Sequence, residues 1–175
     1  MLLALLSGQR CQTVHKLSLS SVKLSSSMCV FQITSVLKQS RRGHHLAPIE
    51  LMAYSSNSRL CIVAVLCEYL AWTQELRKDQ DQLHLNYQKP HHPIIKHTLA
   101  RWLRDILNKS GVDTELFSAH STRSASTSAA ARCGLPVDVM KAAGWSAVST
   151  FTMFYKKAPE QNLGQILLQS YMNKS

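Results

Sequence analysis

Ser118-Ala-His120-Ser-Thr-Arg123-Ser-Ala-Ser-Thr-Ser128, followed by Ala143-Gly-Trp145 and by Ser149-Thr-Phe-Thr-Met-Phe-Tyr155, reads as a run of short helices. Ser118 is a helix-capping residue type, and the hydroxyl- and alanine-rich text after it predicts a helix from His120 to about Arg132. Gly134-Leu-Pro136 ends that helix, because proline cannot continue one and glycine caps one cheaply. Short helices are expected over 136–143 and 147–156, and an amphipathic one from Pro159 to Tyr171. His120 and Arg123 stand at i and i+3, so their side chains share one face of the first turn.

Working back toward the N-terminus, His97–Lys109 carries apolar residues at Leu99, Trp102, Leu103 and Ile106, the spacing of an amphipathic helix closed by Gly111. Leu60–Arg77 has the same 3.6-residue rhythm. Between them, residues 79–93 are polar and hold Pro90 and Pro93, which predicts a loop around a short strand at Leu83–Tyr87. Met28–Leu37 is rich in β-branched and aromatic residues and predicts a strand, Ser40-Arg-Arg-Gly43 a turn, and His45–Leu51 the returning strand. Residues 18–27 suit a turn and a short edge strand, and residues 2–16 a helix with Gly8 as its weak point. The fold class is therefore α+β, mainly α: a helical domain with a small antiparallel sheet, in which Lys38 sits near the tip of a hairpin.

At 175 residues the chain fits one domain with a real core, and 45% apolar residues suit a globular protein. No segment approaches the roughly 20-residue apolar run that spans a membrane. The opening Met1-Leu-Leu-Ala-Leu-Leu6 lacks the basic flank of a secretory signal and reads as the start of a truncated domain. Twenty Lys and Arg against ten Asp and Glu give a net charge of +10, which favours a polyanionic partner. The five cysteines, Cys11, Cys29, Cys61, Cys67 and Cys133, form no CxxC pair and read as free thiols in a reducing compartment.

Chemistry gathers at a few positions. A helix N-terminus attracts anions through its unpaired N–H groups, and an arginine there adds a planar fork that matches phosphate oxygens. Tyr155 is a nucleophile once its proton is removed, and Trp145 offers an indole N–H that donates but moves no proton. Arg10 in Ser7-Gly-Gln-Arg-Cys11 and Lys38 in Val36-Leu-Lys-Gln-Ser40 add two cations. Arginines, a lysine, a histidine and a tyrosine together can break a phosphodiester with no metal and no cofactor. The hydroxyls of Ser121, Thr122, Ser124, Ser126, Thr127 and Ser128 either meet phosphate or pack with the neighbouring alanines, and packing is the commoner use. His44-His45, His84, His91-His92 and His97 come without an HExxH motif or a cysteine pair, so polar loops and DNA-facing turns fit them better than a metal site.

In order and spacing these boxes resemble the catalytic domain of the tyrosine recombinases, the phage-integrase family, over most of the chain. Leu6-Ser-Gly-Gln-Arg10 is similar to the first-arginine box, Lys38 to the hairpin lysine, His120-Ser-Thr-Arg123 to the His-x-x-Arg box, Gly144-Trp145 to the His/Trp position, and Tyr155 to the nucleophile. Lys23, Arg41 and Arg42 are nearby rivals for the lysine's part. The text around the boxes is similar to the recombinases of DIRS-type retroelements. The resemblance implies a catalytic set of Arg10, Lys38, His120, Arg123, Trp145 and Tyr155. It also implies double-stranded DNA as partner, self-association on DNA as a synaptic tetramer, and a nuclear location, with no membrane and no small-molecule substrate. In that reading Arg10 and Arg123 clamp the scissile phosphate and Tyr155 forms a 3′-phosphotyrosyl link. Lys38 protonates the leaving oxygen, His120 assists as acid and base, and Trp145 buttresses the pocket.

Tyrosine recombinases usually carry a helical core-binding domain ahead of the first arginine. Residues 1–175 are thus expected to be a catalytic domain truncated at its N-terminus, with no separate core-binding domain. Two rivals share parts of the pattern. One is a degraded or domesticated retroelement fragment that binds DNA without catalysis. The other is a type IB topoisomerase, which uses the same cations and the same phosphotyrosine step; the Gly144-Trp145 position and the closely following Tyr155 favour the recombinases.

Overall fold

The computed structural model describes residues 1–35 and 46–132. Lys38, the turn at 40–43, Trp145, Tyr155 and the helices expected beyond Arg132 lie outside the described residues. Among the described residues, five α-helices and three strands follow one another as α1 (Leu2–Ser7), α2 (Cys11–His15), β1 (Val22–Leu24), β2 (Met28–Phe31), β3 (Ile49–Met52), α3 (Ile62–Arg77), α4 (Lys96–Lys109) and α5 (Ser121–Arg132). The mixed, mainly helical class expected from the sequence is the one observed.

The sheet is antiparallel in the order β1-β2-β3, with Val22 opposite Phe31 on one side and Phe31 opposite Ile49 on the other. Alternation sorts its faces: Cys29, Phe31, Ile49 and Leu51 point into the core, while Glu50 and Met52 face water. Strand β2 is shorter than the expected Met28–Leu37, and β3 starts at Ile49 rather than His45. Composition marked where strands are favoured, but pairing partners decide where they stop.

Helix α3 covers this sheet with a stripe of Ile62, Val63 and Leu66 that continues through Thr73 to Arg77. Arg77 is buried, and its three hydrogen bonds all end on neutral oxygens: Nε to Thr73 Oγ1 (2.9 Å), Nη1 to the Gln82 carbonyl (2.9 Å) and Nη2 to the Leu83 carbonyl (2.8 Å). Its guanidinium also lies 5.4 Å from the centre of the Tyr69 ring. These bonds draw the 78–95 loop onto α3. The strand expected at Leu83–Tyr87 is absent, and two isolated bridges, Ser18 with Gln82 and Leu85 with Pro93, take its place. Gln82 completes the latch by donating from Nε2 to the carbonyls of His15 and Ile94, both at 3.1 Å.

The single helix expected over 2–16 is two. Gly8 adopts φ 58° and ψ 16°, a left-handed conformation that ends α1, and α2 restarts after Arg10. Helix α5 packs on α1 and α4 on α2, so the elbow between the first two helices meets the start of the last described one. Three of the α5 hydroxyls turn back onto backbone carbonyls one turn earlier. Thr122 donates to the Ala119 carbonyl (2.8 Å), Ser126 to Thr122 (2.9 Å) and Thr127 to Arg123 (2.8 Å).

Candidate functional site: a basic cleft at the α1–α2 elbow

Three of the six candidate residues come together here. Arg10 stands at the N-cap of α2 in an extended conformation, and its carbonyl accepts from Thr13 (2.8 Å) and Val14 (3.1 Å). That geometry turns the chain after Gly8 and carries the Arg10 side chain to the cleft wall. Arg123, in the first turn of α5, is only 1% exposed, and its Nη1 donates to the Gly8 carbonyl at 2.8 Å. Glycine at position 8 thus does two things: it allows the left-handed turn, and it aims a carbonyl at the buried guanidinium.

His120 lies in the turn just before α5. Its backbone N–H donates to Ser118 Oγ (3.2 Å), and the Ser118 N–H donates to Ser121 Oγ (3.1 Å), so Ser118 and Ser121 brace the turn that leads into α5. The imidazole is held below its ordinary pKa by partial burial first, then by the positive charges of Arg123 and Arg10. Arg10 and His120 line one cleft, and Arg123 lies behind it, bonded to the Gly8 carbonyl two residues before Arg10. At neutral pH the ring is a neutral base rather than a cation.

The cleft encloses about 530 Å³ and is lined by Arg10, Cys11, Lys96, Arg101, Arg104 and His120 among others, with no carboxylate among its described lining residues. Lys96, Arg101 and Arg104 were not singled out from the sequence. Their positions, one, six and nine of α4, put a basic edge beside its buried Leu99 and Leu103. A count of cations along the amphipathic helix gives this signal, but only packing shows that the edge faces Arg10. Burial pushes the Cys11 thiol up, with Lys96 pulling the other way, so Cys11 is a neutral wall of the cleft. Lys38, Trp145 and Tyr155 fall outside the described residues, so this geometry neither joins nor separates them from the cleft.

Such a helical domain, with three antiparallel strands packed behind the elbow, has the fold of a tyrosine-recombinase catalytic domain. The chain belongs to the phage integrase family, whose model matches residues 1–161. Among solved structures it is similar to XerA recombinase at 18% identity and a TM-score of 0.66, covering 99% of this chain and 55% of that one. It is also similar to the XerH site-specific recombinase bound to its difH substrate in a pre-cleavage complex, at 15% identity and a TM-score of 0.66. There the match covers 99% of this chain and 44% of the other, so the chain spans about half the length of the recombinases it resembles. No curated protein sequence matches it.

Proposed function

We propose that this chain supplies the catalytic part of a site-specific recombinase that cuts and rejoins double-stranded DNA. One observation carries the reading: Arg10 and His120, far apart in sequence, line a cleft whose described wall is cationic and free of carboxylates, with the buried Arg123 one helical turn from His120 and bonded to the Gly8 carbonyl. Membership of the phage integrase family and a recombinase fold support it. A pentavalent phosphorane bears more negative charge than the diester it comes from, so preorganised guanidinium forks stabilise it more than they stabilise the ground state.

The mechanism follows from the residue types. The Tyr155 oxygen attacks phosphorus and its proton passes to neutral His120; the bond from phosphorus to the 5′ oxygen breaks, and Lys38 protonates that oxygen. A 3′-phosphotyrosyl link and a free 5′-hydroxyl remain. Attack by another strand's 5′-hydroxyl reverses the steps and conserves the diester energy. Trp145 donates its indole N–H to a non-bridging oxygen. The retroelement-like text around the boxes and the DNA substrate extend the proposal to a nuclear protein that assembles on DNA.

The test is a duplex nicked near the cleavage point, so that the cut fragment diffuses away and the adduct accumulates. We expect a covalent protein–DNA species resistant to denaturant, lost in Tyr155→Phe and formed equally in the presence of chelator. An adduct that survives Tyr155→Phe overturns the assignment of the nucleophile. Salt-sensitive binding with no adduct in the unaltered protein would instead identify a DNA-binding module without the chemistry.

A further inference from the structure

A second groove, roomier than the cleft at about 740 Å³, runs between the outer half of α3, residues 85–88 and the flank of α4. Its walls are aromatic: Tyr69, Trp72, Tyr87 and Trp102 all line it. Trp72 is 66% exposed and Tyr87 61% exposed. The Tyr87 and Trp102 ring centroids lie 6.0 Å apart with planes inclined at 40°, so Tyr87 is braced from one side and open on the other. A contiguous apolar patch with a polar rim marks a binding surface.

The rim indicates what binds. The groove's lining holds two cations, Arg101 and Lys109, against one acid, Asp105, and the side-chain amides of Asn86 and Gln88. Arg101 also lines the basic cleft, so one side chain joins the two sites. Aromatic faces beside cations, opening off a cleft suited to phosphate, match a chain of bases on a phosphate backbone. Stacking a base on an aromatic ring tolerates any sequence, while arginine adds its own planar face. Tryptophan, tyrosine and arginine also favour protein interfaces. The surplus of cations and the continuity through Arg101 favour the polyanion.

We propose that this groove is a stacking platform for unpaired nucleobases. It receives a single-stranded stretch of DNA whose phosphates continue into the basic cleft. The proposal rests on the reading of that cleft as a phosphodiester site. A strand that has been cut must leave its own complement before it joins another, and a platform beside the cut holds it while unpaired.

The experiment measures binding of the full chain to a blunt duplex, to the same duplex with a single-stranded extension, and to a thymidine oligonucleotide. Adduct formation on the nicked duplex is followed in parallel. The unaltered protein should prefer the extended duplex, and its tryptophan fluorescence should fall on binding. Trp72→Ala and Tyr87→Ala should each weaken binding of the extension by roughly tenfold and leave blunt-duplex affinity and adduct yield within about twofold. Trp72→Phe should restore the preference, because a phenyl face still stacks. Unchanged extension binding in both alanine variants overturns the platform, as does a change of oligomeric state in Trp72→Ala with extension binding intact, which would mark a protein interface. Loss of adduct formation in the unaltered protein, with extension binding still dependent on Trp72, would defeat the reading of the cleft and leave the platform standing.

Discussion

Arg123 carries a permanent charge into a place almost closed to water, and the Gly8 carbonyl is the partner that fixes one of its terminal nitrogens. Arg123→Ala should lower the urea midpoint by an amount equivalent to about 1–3 kcal/mol, because a buried carbonyl loses its donor. Arg123→Lys should keep most of that stability and still abolish the adduct, since an ammonium cannot hold two phosphate oxygens in one plane. Equal adduct yields in the lysine variant and the unaltered protein would remove Arg123 from the clamp. His84 makes a different prediction. Its Nδ1 is buried with no partner among the described residues, and its pKa is lowered to about 4, by burial first and then by the chain's amino terminus, His15 and Arg77. The unfolded chain therefore binds the extra proton sooner, so stability is complete above about 6.5 and is lost as pH falls toward about 4. The full loss is about 3 kcal/mol. His120 contributes with the same sign, its pKa being lowered too. Urea midpoints across that interval should fall less steeply in His84→Leu, and parallel slopes would refute the assignment.

Among the elements, the elbow between α1 and α2 matters most to the site. Gly8 and Gly111 both have left-handed backbones, with φ 58° and 78°. Alanine at either costs about 1–2 kcal/mol of conformational strain, and at Gly111 the new methyl meets nothing within 4 Å. Both substitutions should therefore lower the melting temperature similarly. Only Gly8→Ala should also weaken duplex binding, because only the Gly8 carbonyl holds Arg123; equal binding by the two variants would uncouple the elbow from the site. This contrast also shows what was legible beforehand. The spans of α3 and α4, the start of α5 just after Ser118-Ala-His120 and the antiparallel sheet follow from periodicity and capping chemistry. The break at Gly8 and the Arg77 latch do not. A tolerated glycine inside an apolar run looks the same whether or not the chain turns there, and a buried arginine satisfied by carbonyls leaves no pattern in the residues that supply them.

At the scale of the whole molecule, the +10 charge becomes a located feature. Arg10, Lys96, Arg101 and Arg104 concentrate it on one cleft. Duplex binding should weaken steeply with salt, and Arg104→Ala should lower the slope of log affinity against log salt by about one, as expected when one phosphate contact is lost. A slope unchanged in Arg104→Ala would move the DNA to another face. The family signature was legible because it rests on ordered boxes, whereas the aromatic groove was not. Trp72, Tyr87 and Trp102 belong to three separate segments, and only their packing makes them neighbours.

The bond between Arg123 and Gly8 joins residues 115 positions apart. During synthesis, Arg10 leaves the ribosome long before His120 and Arg123 exist, so a growing chain can present a loose cation but no clamp. The cleft is therefore among the last features to form, and its appearance requires that α5 has already docked on α1. On the proposed function, a partly made or partly unfolded copy would still cling to DNA by charge but would have no means of cutting it.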